Sequence, residues 1–158
     1  MTTQQAKERL KRIETAENLL AGLTQKQRVD LCLYAVRHFY ATVTVQTTNT
    51  AQIEVFVDRV DVYNSQTVYN ELKVNMFRKI RKTMENIKKI ATNKTTIVYK
   101  IALMAYDMSI AAIRLNEVVC KKHAEHVIYF ALKFSDDKII DDLVKVKEFL
   151  TTEETIQN

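Results

Sequence analysis

The residues able to do chemistry in this chain are few and scattered. Its three histidines are His38, His123 and His126, and its two cysteines are Cys32 and Cys120. His123 and His126 stand three apart, so on a helix they share a face and present two imidazoles together. Glu125 and Cys120 lie close by in the chain. Zinc takes four donors, or three and a water. The sequence supplies no second pair at ligand spacing, nor the Glu-x-x-His of di-iron bundles. The expectation is therefore no metal and no cofactor, with the two histidines in an exposed basic bend over residues 121–126.

Nucleophilic catalysis needs a thiolate activated by a neighbouring base. His38 follows Cys32 by six residues, which carries it across the same helix, away from the thiol. Cys120 and His123 are at touching distance on a helix, but nothing nearby builds an oxyanion hole. Both cysteines sit among apolar residues and read as buried, reduced thiols. The acid pairs Asp136-Asp137 and Asp141-Asp142 suit the first turns of a helix, where carboxylates complement the free N–H groups.

Phosphate-cradling loops and nucleophile elbows are excluded on composition. Both need several glycines so that backbone can approach a ligand or turn sharply. The 158 residues hold one glycine, Gly22, and no proline, where average usage would give roughly eleven and eight. No catalytic residue is expected, and the chain reads as a non-enzyme.

One charge pattern carries weight. The net charge is +5, unevenly spread. Residues 73–94 hold eight bases against the single acid Glu85, whereas residues 135–158 hold three lysines against seven acids. On a helical wheel Arg78, Arg81, Lys82, Lys88 and Lys89 gather opposite an apolar face. Such a basic face could follow phosphates without reading sequence. It carries no interleaved aromatics for base stacking. The same polarity suits head-to-tail self-association. The leading expectation is a self-associating protein-interaction module, a homo-oligomer with itself or another protein as partner. Nucleic-acid binding through residues 73–94 is the alternative. The usage of Lys, Thr, Val, Ile, Asn and Tyr is also compatible with a virus-encoded protein.

The elements that would position these residues are helices, because proline and glycine, the usual helix breakers, are missing. Thr2-x-x-Gln5 and Thr24-x-x-Gln27 are capping boxes. They predict helices near 3–21 and from about 25 to before Thr47, with Gly22 as a left-handed terminator of the first. Residues 42–57 read as helix, with a minor β-hairpin as the alternative because β-branched residues alternate there. A long helix is expected from Asn64-Ser65 to Ala91, with Met84 on its buried side. The stretch 97–120 is apolar nearly all round and predicts a central helix surrounded by others. Lys100, Asp107, Arg114 and Lys121 would form one polar stripe along it. A last helix near 136–150 precedes a frayed tail, 151–158. The expected architecture is thus an all-α, single-domain bundle (residues 1–158) of six or seven helices around 97–120. The charges in 97–120 argue against a transmembrane segment, and the polar N-terminus lacks a signal's apolar region. An intracellular location, cytoplasm or nucleus, is expected.

Overall fold

A computed structural model describes residues 2–41, 48–65, 96–113 and 116–157, together with Asn75, Arg78, Lys82, Met84–Asn86 and Lys89; at Thr48, Asn49 and 153–157 only the backbone is described. The elements are α1 (Thr3–Leu20), α2 (Gln25–Tyr40), α3 (Thr48–Asn64), α4 (Ile97–Ala112), α5 (Glu117–Phe134) and α6 (Lys138–Gln157). Between α3 and α4 the described residues 75, 78, 82, 84–86 and 89 are also helical. The fold is all-α, and no strand occurs among the described residues.

Both capping boxes form. The Thr2 hydroxyl accepts from the Gln5 amide at 3.1 Å while Gln5 Oε1 accepts from the Thr2 amide at 2.9 Å. Thr24 and Gln27 repeat the exchange at 3.2 and 2.9 Å. Each box satisfies N–H groups that a helix start leaves unpaired. Gly22 adopts φ +77°, directly after the α1 cap residue Ala21. It turns the chain in the left-handed conformation that side chains resist.

The stretch at 42–57 resolves towards helix. From Thr48 onward it is α3, and Ile53, Phe56, Val57, Val60 and Tyr63 are buried at helical spacing while Glu54 and Asp58 face solvent. The first arm of the alternative hairpin, 42–47, lies outside the described residues. α3 is tied to α2 by Arg37, whose guanidinium meets Asp61 at 2.8 Å and Asp58 at 3.0 Å. Burial works against this charge, but the hydrogen bonds to Asp61 and Asp58 outweigh it and hold the Arg37 pKa above its usual value.

Several expectations need correction. The apolar run 97–120 is two helices rather than one. α4 ends at Ala112, and Asn116 opens α5 by accepting from the Val119 amide at 3.2 Å through its side-chain oxygen. A short amide side chain competes for backbone groups and so favours a cap over a helix interior. The bend expected at 121–126 does not exist, because those residues lie inside α5. The polar stripe is broken too: Asp107 is buried, Lys100 is half-buried, Lys121 is on a different helix, and Arg114 lies outside the described residues. Asn64, expected to start the next helix, ends α3 instead. Its buried amide nitrogen donates to the Lys26 carbonyl at 3.1 Å and to Asp30 at 2.8 Å. The remainder of that helix start, 66–74, lies outside the described residues. Met84 is buried as expected. α6 runs past residue 150 to Gln157.

One hydrophobic core joins α1 to α6, with Met84 among its members. α4 packs against α2, α3 and α5, and α5 also reaches α1, α2 and α6. α4 buries Ile101, Ala102, Met104, Ala105, Met108, Ala111 and Ala112. The two halves of the expected central helix therefore lie against each other at the middle of the bundle. No helix among the described residues is long and apolar enough to cross a membrane.

Candidate functional site

The break between Ile113 and Asn116 is what brings Asp107 and His123 together. Reversing the chain there lays α5 along α4, so that His123 comes to Asp107, a residue on the other half of the run. Asp107 is only 6% exposed. Its Oδ1 lies 2.9 Å from His123 Nδ1. A carboxylate in a core of alanine and methionine costs several kcal/mol, roughly, unless it is paired, and His123 is the ion-pair partner it has among the described residues. One helical turn on, the His126 ring stands edge-on to His123, with centroids 5.6 Å apart and planes at 77°. One ligating atom from each of Asp107, His123 and His126 lies within 4.8 Å of the others. His123 is half-buried and His126 exposed, so the cluster grades from core to surface.

His126 also lines the groove between α1 and α5, a space of about 580 Å³. Ile13, Tyr129 and Phe130 give this groove its apolar surface, and the exposed bases Arg9, Lys122 and Lys133 contribute its positive charge, with Glu17 and Glu125 as the acids. The aromatic surface continues along α5. Phe130 stacks on Phe134 at 5.8 Å with planes only 7° apart, and Lys100 Nζ lies 4.8 Å above the Phe134 ring.

The cysteines are placed as inert thiols. Cys32 is fully buried and its Sγ–H donates to the Ala124 carbonyl at 3.7 Å. Burial, and then the negative charges of Asp107 and Asp30, push its pKa far above the usual thiol value. Cys120 is buried and donates to the Ile110 carbonyl at 3.5 Å. Neither histidine considered as an activating base is engaged with a thiol. His38 stacks on Tyr34 at 6.1 Å, and His123 is held by Asp107. Asp136, Asp137 and Asp141 are exposed around the start of α6, and Asp142 is half-exposed.

Of the basic face singled out in the sequence, Arg78, Lys82 and Lys89 are helical and exposed, whereas Arg81 and Lys88 lie outside the described residues. Lys89 pairs with Glu85 at 3.3 Å, and Arg78 donates to Asn75 at 3.4 Å. Asp107 is the residue that sequence reasoning missed. It is sixteen positions from His123, and its one signal was an acid set in the most apolar stretch of the chain.

Comparison with protein-family models, with curated proteins and with solved structures finds no match to this chain.

Proposed function

We propose that this chain is a non-enzymatic helical interaction protein that associates with copies of itself. The observation that carries the reading is the α1–α5 groove, which combines an apolar surface of Ile13, Tyr129 and Phe130 with the bases Arg9, Lys122 and Lys133. Aromatic surface ringed by basic side chains suits an amphipathic helix bearing acids. The C-terminal helix α6 exposes Asp141, Glu148 and Phe149 on one broad side, with Lys145 between the acids and the ring, and Phe149 is 64% exposed. Seating α6 of one copy in the groove of the next is a heterologous contact, which propagates with concentration. Sedimentation velocity tests it. Wild type should gain mass with concentration and lose it at high salt. Phe149→Ser, or Lys122→Glu with Lys133→Glu, should leave monomers. A wild type that stays monomeric at high concentration refutes the reading.

A second reading rests on the exposed bases Arg78, Lys82 and Lys89, of which only Lys89 meets a carboxylate among the described residues. They support phosphate contact with a nucleic acid, read without sequence preference. Titration against short duplex DNA and RNA at two salt concentrations decides it. Binding that weakens steeply with salt and vanishes in Arg81→Glu/Lys82→Glu/Lys88→Glu favours it, and no binding at low salt ends it.

A further inference from the structure

We propose that Asp107, His123 and His126 form a binding site for a single zinc-class divalent metal ion. The donor set is two imidazoles and one carboxylate, a combination suited to a borderline first-row metal. It comes from two helices, with Asp107 on α4 and both histidines on α5. An ion held there joins the two halves of the bundle centre. Three protein donors leave one position of a tetrahedron for water.

The geometry is close to what such an ion needs. Donors about 2.0–2.1 Å from zinc at tetrahedral angles lie roughly 3.3 Å apart. Asp107 Oδ1 and His123 Nδ1 are already at 2.9 Å, so the ion would replace their shared proton with a small separation of the two atoms. The full set spans 4.8 Å, and the member that must close in is His126. It is exposed, and among the described residues its ring contacts are with His123 and Phe130 at 5.6 and 6.4 Å. The ion would also answer an electrostatic need, because the buried Asp107 carboxylate faces a histidine that bears charge only when protonated. A divalent cation supplies that counter-charge whatever the proton does.

The cluster overlaps the contact proposed for self-association only at its edge, since that contact uses the apolar and basic part of the groove. His126 alone belongs to both. The experiment uses the full chain, freed of metal by chelation and then titrated with Zn2+ by calorimetry and with Co2+ by visible absorption. One Zn2+ per chain and an intense tetrahedral Co2+ band are expected. His126→Ala and His123→Ala should each weaken Zn2+ binding by at least about tenfold. His38→Ala, which removes the remaining histidine, should bind as wild type. Because His126 is on the surface, His126→Ala should keep the apo melting temperature, and it separates loss of a ligand from loss of the fold. Asp107→Asn should turn the band into a weak octahedral one or abolish it. No binding by the wild type, or equal binding by wild type and His126→Ala, overturns the proposal. The oligomeric state is read in the same samples by sedimentation, so that failure of self-association and failure of metal binding are told apart.

Discussion

Gln27 offers a test of how a local helix signal acquires tertiary weight. The chain contains the same capping box twice, at Thr2/Gln5 and at Thr24/Gln27, with nearly identical bond lengths. Their surroundings differ. Gln5 is exposed, whereas Gln27 is buried and its Nε2 also donates to the Leu150 carbonyl of α6 at 3.3 Å. Gln→Met preserves length and most of the volume while deleting both polar functions. At Gln5 it removes one bond whose backbone partner turns to water, costing about 0.5 kcal/mol. At Gln27 it removes, among the described residues, two part-buried bonds, one of which ties α2 to α6. At about 0.5–1.5 kcal/mol for each, the loss is roughly 1–3 kcal/mol. For a chain of this length each kcal/mol shifts the melting temperature by about 2–4 °C. Gln27→Met should therefore melt roughly 2–12 °C lower than wild type, and Gln5→Met about 1–2 °C lower. Urea titration at constant m-value gives the free energies directly. Equal losses from the two substitutions would refute the argument, because they would mean that the box acts only on its own helix.

The remaining predictions follow from single contacts. Gly22→Ala should cost about 1–2 kcal/mol in urea titration from backbone conformation alone, since a Cβ at that position meets nothing within 4 Å; Gly22→Asn should cost less. Arg37→Ala should destabilise by about 1 kcal/mol, because its two carboxylates are largely solvent-exposed, and most of that loss should disappear at about 1 M salt. The Cys32 thiol, raised by burial and then by Asp107 and Asp30, stays protonated in the folded chain when the unfolded chain's thiol ionises above about pH 8.5. The unfolded state then binds fewer protons, so stability falls as pH rises, by up to about 1.4 kcal/mol per pH unit from this group. Cys32→Ala should lower stability at neutral pH by leaving a cavity but should show a shallower alkaline decline, and an unchanged slope would count against the burial argument.

What the sequence made legible was whatever depends on neighbours within a turn or two. Thr2 with Gln5, Thr24 with Gln27, and Gly22 each act over three or four residues, and each does what its local chemistry demands. The helical spacing of Ile53, Phe56, Val57, Val60 and Tyr63 likewise outweighed the strand preference of β-branched residues, because burying one continuous face against α2 and α4 is worth more than the small strand propensity. The error at 97–120 has the opposite origin. Hydropathy marks how apolar a segment is, not where it turns, and Asn116 is a polar position within that apolar run. Its capping role depends on whether the chain turns back there.

That turn also explains why the chemistry was hidden. On a single straight helix, Asp107 and His123 would stand sixteen residues and about 24 Å apart, and an acid there could only belong to a surface stripe. With the chain reversed at 113–116, the same two side chains meet at 2.9 Å in the middle of the bundle. The pair of histidines then stands beside a carboxylate from another helix, a neighbour that spacing within one helix could not supply. A count of donors by sequence spacing tests only sites built from one element. In a chain this poor in glycine and proline, nearly every polar cluster must instead be built between helices, where the positions of the joints decide which residues can meet.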